Sequence, residues 1–343
     1  MKYVNLGPTG TKVSQFALGA WHLPGSGERD QWGVEKVDEE EMSKIVKKAY
    51  DAGINFIDTS NVYHGRMQNS DPQHTGNSER LLGKILKGYD RESLVLATKV
   101  RGTLASWPNG EGLSRKHIMW QVKESLSRLQ VDYIDLYQIH WPDPDTPKLE
   151  TLQTLNRLID QNLVRYLGAS NHSATEVEEF MHYARDYRLE SFVTLQELYN
   201  LIERGIEGDR LALAKKYNLT ILAYSPLAQG VLSGKYLAGV QTQTRTRATY
   251  VADISRAYLN PQTVDAVREL NEIARQKGIT LPQLALSWLL HKQEELGLTI
   301  IPLLGITFSR YLEDSLGAMD VRLSSDELKY AEEISRKASV LPW

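Results

Sequence analysis

The chain has 343 residues, a net charge of −3 and no cysteine. That length suits one large α/β barrel with insertions, or two or three smaller domains. The near-neutral balance provides no field for nucleic acid or an anionic membrane, and the missing thiols exclude disulfides, iron–sulfur clusters, thiolate metal sites and cysteine nucleophiles.

Residues 1–6 lack the apolar core of a secretion signal, and the longest apolar stretch, residues 298–308, is broken by Pro302, Gly305 and Thr307. A cytoplasmic protein with no membrane span is therefore expected. Residues 2–6 and 12–17 flank Gly7-Pro8-Thr9-Gly10, a turn signal that predicts a small opening hairpin. A different rhythm follows. Compact apolar runs at residues 16–18, 55–57, 94–97, 134–139, 164–167, 192–195, 220–223 and 299–302 predict eight strands.

Amphipathic helices separate most of them. Ile118, Val122, Leu126 and Leu129 keep helical spacing after the cap Ser114, and Asn77 is placed to cap a helix carrying Leu81, Leu82, Ile85 and Leu86. Ser173 with Glu176 and Ser324 with Glu327 have capping-box spacing, and Pro282 sits at a helix start after Thr280. Strand and helix alternating eight times predict a (β/α)8 TIM barrel with an N-terminal β-hairpin, spanning residues 1–343 as one domain. A doubly wound sheet would carry a glycine fingerprint after an early strand, and Gly25-Ser26-Gly27 is followed by no such glycine. Residues 63–76 and 228–260 form connections longer than the scaffold requires, both after strand C-termini, where barrel enzymes build their sites.

Three of the strands run into chemistry. The second ends at Asp58 with Tyr63 five residues on, the third at Lys99 and the fourth at His140. Taken singly, Asp58 is a turn residue, Lys99 a rim charge, His140 a core histidine and Tyr63 a packing residue. Consecutive parallel strands lie roughly 4.8 Å apart, so the four should share one rim. A phenol titrates too high to exchange protons readily at neutral pH, and a neighbouring ammonium is expected to lower it. Asp58 would hold Lys99 charged, and His140 would hydrogen-bond a substrate oxygen. The set is a proton donor aimed at an oxygen that gains negative charge.

Asp58, Tyr63, Lys99 and His140 match in type, order and strand position the tetrad of the aldo-keto reductase superfamily, which the chain resembles over nearly its whole length. The resemblance implies a metal-free enzyme reducing aldehydes or ketones by direct hydride transfer from a nicotinamide, Tyr63 being the general acid. By the same resemblance Ser170, Asn171 and Gln196 would bind the carboxamide and Tyr224 would stack on the ring. Ser225, Leu227, Gln229 and Gly230 would line the pyrophosphate. Gly305, Thr307, Tyr311, Asp314 and Ser315 would reach the adenosine end, although Gly305 aligns only across an insertion at Leu303-Leu304. The family favours NADP(H), for which Lys235, Arg245, Arg247 and Arg310 could supply cations. An inward Asp314 would instead suit NAD(H).

Trp21, Trp107 and Trp141 are placed to wall the substrate pocket, Trp21 also bordering the cofactor, and His64 and His74 lack the partners a metal site needs. Two other classes stay open: a Schiff-base aldolase using Lys99, and a cofactor-binding regulatory subunit with little turnover. A small carbonyl compound is the expected partner, and a homo-oligomer is compatible with the sequence.

Overall fold

The computed structural model describes residues 1–31, 33–63, 74–238 and 257–340. The chain opens with an antiparallel hairpin, β1 (Tyr3–Asn5) and β2 (Lys12–Ser14), as its turn signal predicts. After β3 (Ala17–Gly19) comes a second hairpin, β4 (Gly25–Arg29) with β5 (Glu35–Val37), which the sequence reading missed. Its strands are mostly exposed and polar, so they carry no apolar alternation to find.

The remaining elements alternate. They are α1 (Glu39–Asp51), β6 (Phe56–Asp58), α2 (Asn77–Leu86), β7 (Val95–Val100), α3 (Arg115–Leu129), β8 (Ile134–Ile139), α4 (Lys148–Asp160) and β9 (Val164–Ser170). Then follow α5 (Ala174–Tyr187), β10 (Phe192–Leu198), α6 (Asp209–Tyr217), β11 (Thr220–Tyr224), α7 (Pro261–Gln276), α8 (Leu281–Leu296), β12 (Ile300–Leu304), α9 (Arg310–Gly317) and α10 (Ser325–Ser335). Eight parallel strands close in the order β3-β6-β7-β8-β9-β10-β11-β12, giving the expected (β/α)8 barrel.

Strand alternation sorts the side chains. Ala17, Phe56, Val95, Ala97, Leu136, Leu222 and Ile301 fill the interior, where Leu6 and Val13 of the first hairpin join them. The opposite faces, including Ile57, Leu96 and Tyr137, pack against the helices in the larger core. The first hairpin is fixed to one end of the barrel: Gly7 N donates to Thr220 Oγ1 at 2.7 Å and Thr11 Oγ1 to Tyr166 OH at 2.9 Å. Gly7 has φ +56°, and a Cβ there would run into the Val193 carbonyl oxygen.

Helix starts follow their caps. Ser114 accepts from His117 N, and capping boxes form at Ser173, Thr280 and Ser324, each cap being worth about 1 kcal/mol. Asn77 does not cap α2. Gly76, at φ +79°, takes that position, and Arg128 lies where its Cβ would be. No helix among the described residues is long and apolar enough to cross a membrane.

Candidate active site

The same alternation that packs the interior delivers the reactive groups. Two residues beyond Phe56, Ala97 and Leu136 on their strands stand Asp58, Lys99 and Gln138, and His140 follows Gln138 by two more. Apolar floor therefore gives way to polar mouth on three neighbouring strands. Lys99 is fully buried, and its ammonium donates to Asp58 Oδ1 at 2.6 Å, Thr59 O at 2.8 Å and Tyr63 OH at 3.2 Å. Those three acceptors use every hydrogen it has. Asp58 Oδ2 accepts from Gln138 Nε2 at 3.0 Å and Gln196 Nε2 at 2.8 Å, so both carboxylate oxygens are satisfied.

Tyr63 is set by its backbone: its N–H donates to Ser60 O at 3.1 Å, and its carbonyl accepts from Ser78 N at the start of α2 at 3.0 Å. His140 Nδ1 lies 3.2 Å from Ser60 Oγ. Its ring stacks on Trp141 at 3.6 Å and meets the Tyr63 ring edge-on at 5.7 Å, while Trp21 lies 6.4 Å from Tyr63. The four expected residues, with Trp21 and Trp141, form one assembly. Trp107 does not join it, because among the described residues its ring contact is with Trp120 of α3 at 6.1 Å.

Burial dominates the protonation of this set. It pushes the Tyr63 phenol well above its usual range, with the Asp58 carboxylate adding to the rise. The expected lowering by Lys99 is thus overturned, because removing a phenolate from water costs more than one ammonium returns. Burial lowers Lys99, opposed by Asp58 and by Glu79 behind the sheet. His140 is held well below the usual histidine value by burial, then by the charges of Lys99 and Arg101. At neutral pH the mouth holds a protonated phenol and a neutral imidazole.

A second group lies on the next strands. Asn171, at φ +60°, donates from Nδ2 to His140 O and Ser170 Oγ, both at 3.0 Å, and its Oδ1 accepts from Tyr224 OH at 2.8 Å. Ser170 Oγ donates to Gln196 O at 2.8 Å. Ser170, Asn171, Gln196 and Tyr224 are therefore joined to each other and, through Asp58 and His140, to the first group. Beyond β11 the backbone is left-handed at Ser225, Ala228, Gln229 and Gly230. Gln229 Nε2 donates to Ser225 Oγ at 2.7 Å, and the Leu227 carbonyl accepts from Gly230 N at 2.8 Å. The Lys235 ammonium lies 2.6 Å from where a Gly230 Cβ would stand, so glycine is needed for that approach.

This geometry accords with the comparisons. A family model described as "Aldo/keto reductase family" matches residues 15–336. The chain belongs to the aldo/keto reductase family. A Schizosaccharomyces pombe protein provisionally named a voltage-gated potassium channel subunit beta is 35% identical over 96% of this chain and 92% of its own length. An Oryza sativa protein named in the same way is 34% identical over 84% of this chain and 83% of its own. A Saccharomyces cerevisiae protein provisionally named an aryl-alcohol dehydrogenase is 30% identical over 97% of this chain and 96% of its own.

The positions that the resemblance gives to the adenosine end form a third group, with no hydrogen bond to the other two among the described residues. Glu41 Oε1 accepts from Ser309 N at 2.6 Å, and Ser309 makes no side-chain cap. Asp314 turns to Thr280 Oγ1 at 2.9 Å, at the start of α8, and the buried Ser315 donates to Tyr311 O at 3.0 Å. Arg310 lies 5.0 Å from the rings of both Phe308 and Tyr311. Gly305 and Thr307 precede this cluster. Arg245, Arg247 and His64 fall outside the described residues. His74 Nε2 pairs with Asp30 Oδ2 at 2.6 Å, and among the described residues no group of three or more His, Asp or Glu is placed to hold a metal.

Sequence reasoning missed Gln138, Ser60 and Glu79. Gln138 was findable, since it precedes His140 by two on the same inward face. Glu79 is fully buried behind β7, bonded to Thr98 Oγ1 and Arg128 Nε, both at 2.6 Å. Nothing in its helical context separates it from a solvated acid.

Proposed function

We propose that this chain is an NAD(P)H-dependent oxidoreductase that reduces an aldehyde or ketone to the alcohol, with Tyr63 as the proton donor. The observation that carries the reading is the single ammonium of Lys99 bonded to both Asp58 and Tyr63, with the His140 ring beside them. A dinucleotide fits the residues present. Ser170, Asn171 and Gln196 offer the donors and acceptors a carboxamide needs, and Tyr224 offers a ring to stack on. The turn at residues 225–230, with the Lys235 ammonium over Gly230, places a cation where a pyrophosphate would lie. When bound, the reduced nicotinamide supplies the hydride.

The chain's own residues manage the oxygen. His140 hydrogen-bonds it and Tyr63 OH gives it a proton as negative charge develops there. Lys99 stabilises the phenolate left behind, and Asp58, braced by Gln138 and Gln196, keeps Lys99 in place. Tyr63 keeps its proton throughout the neutral range, and the Lys99 ammonium 3.2 Å away offsets the cost of giving it up as charge develops on the phenol oxygen. Trp21, Tyr63, His140 and Trp141 present a run of rings that suits a planar aryl carbonyl compound, in keeping with the alcohol-dehydrogenase name of one relative. NADP(H) is the first choice, supported by Lys235, with NAD(H) second. Arg310 sits on its aromatic neighbours, and Glu41 places a carboxylate at Ser309.

Two relatives named as channel subunits favour a second reading, a cofactor-binding regulatory protein in which the same site turns over little. The Schiff-base alternative is disfavoured by Lys99, whose three hydrogens are all engaged. Fluorescence titration with NADPH and NADH, followed by an aryl aldehyde panel on native protein and Tyr63→Phe, decides among them. The expected result is coenzyme affinity within a few-fold for both proteins and turnover reduced about 10²- to 10⁴-fold in the variant. Coenzyme binding with equally slow turnover in both would favour the regulatory reading.

A further inference from the structure

Ser60 stands between the phenol and the imidazole. It is fully buried, and its carbonyl accepts the Tyr63 N–H at 3.1 Å while its hydroxyl lies 3.2 Å from His140 Nδ1. That hydroxyl has one proton to donate and two lone pairs to accept with. Val62 N donates to it at 3.4 Å, using one lone pair. Either the proton goes to His140 Nδ1, or Nδ1 carries its own hydrogen into the second lone pair and the serine proton is left with Asn61 Oδ1 at 3.5 Å, the limit of a hydrogen bond. Asn61 is turned to α3, its Nδ2 donating to Gln121 Oε1 at 3.2 Å. The first arrangement gives the serine proton the nearer partner and is the one the distances favour.

The stacking on Trp141 and the edge contact with Tyr63 hold the plane of the ring. Within that plane the bond to Ser60 decides which ring atom faces the hydroxyl, since a flip of the ring would put Cδ2 there and lose the bond. A neutral imidazole carries one hydrogen, and an Nδ1 that accepts from Ser60 puts it on Nε2. Among the described residues Nε2 makes no hydrogen bond, so it is available to donate to an incoming oxygen. In the other tautomer Nε2 would present a lone pair to the lone pairs of a carbonyl. Resting on the oxidoreductase reading above, and deepening it, we propose that Ser60 is a positioning residue that fixes His140 as the Nε2–H tautomer, so that the imidazole donates to the carbonyl oxygen that Tyr63 protonates. One residue thereby sets the proton donor through its backbone and the oxygen ligand through its side chain.

The test is nitrogen NMR of the full chain labelled with ¹⁵N-histidine, with His140→Asn used to assign the resonance, alongside steady-state kinetics of Ser60→Ala. The expected result is a proton on Nε2 in the native protein, and in Ser60→Ala a mixed or Nδ1–H population. With an aryl aldehyde, kcat should fall about tenfold or more while coenzyme Kd is unchanged, because the Ser60 carbonyl still holds Tyr63. A native Nδ1–H tautomer, or a tautomer unchanged in Ser60→Ala, would overturn the proposal. The NMR arm needs neither coenzyme nor turnover. A tautomer that follows Ser60 in a protein with no reductase activity would uphold the role of the hydroxyl while the oxidoreductase reading alone fell.

Discussion

On the β6–β8 side of the mouth the charged groups are already bonded to one another, whereas on the β9–β11 side the groups are neutral amides and hydroxyls followed by left-handed backbone. The contrast follows from the cost of burial. An unpaired ammonium or carboxylate away from water costs several kcal/mol, so Lys99 and Asp58 must satisfy each other, and Gln138 and Gln196 must complete Asp58, before any ligand arrives. Neutral groups tolerate weaker partners and can exchange them. The first side therefore holds one arrangement, while the second keeps partners that can be exchanged.

Lys99→Met attacks that contrast where the effect should be largest. Asp58 is then left buried without its cation, so urea unfolding should show a loss of about 3–5 kcal/mol, and carbonyl reduction should fall at least about 10²-fold. A variant of native stability would mean that the pair is not the anchor of its side. Asn171→Gly probes the other side while keeping the left-handed backbone. It should weaken coenzyme binding about tenfold, with kcat changed only a few-fold, as read by fluorescence titration and steady-state rates. A collapse of kcat with unchanged affinity would place Asn171 with the proton-handling groups.

An effect confined to one pH range concerns Glu197 on β10, whose carboxyl is buried with one oxygen unpartnered and Arg210 3.9 Å away. Burial raises it to about 8. The folded chain then keeps a proton that the unfolded chain releases, so stability falls as pH climbs from the ordinary carboxylate range to about 8, by at most about 1.4 kcal/mol per unit. Glu197→Gln should melt with the native protein near pH 5 and above it near pH 8. A gap that does not change with pH would remove this carboxyl from the account.

These two sides were unequally legible in the sequence. The barrel strands stood out because fully interior strands read as compact apolar runs, and the tetrad because carboxylate, amine, phenol and imidazole are uncommon endings for such runs. Ser60 did not stand out, since a serine in a turn acquires meaning only from what faces it across the barrel. Direction was equally hidden. Asp314 accepts a hydrogen bond from Thr280, Gly76 and not Asn77 stands at the start of α2, and burial opposes the pull of Lys99 on Tyr63, none of which the order of residues reveals.

With Leu6 and Val13 wedged among the interior side chains and Gly7 fastened to Thr220, the vessel is stoppered at its base and open at a single rim. Any guest must therefore enter and leave by that rim.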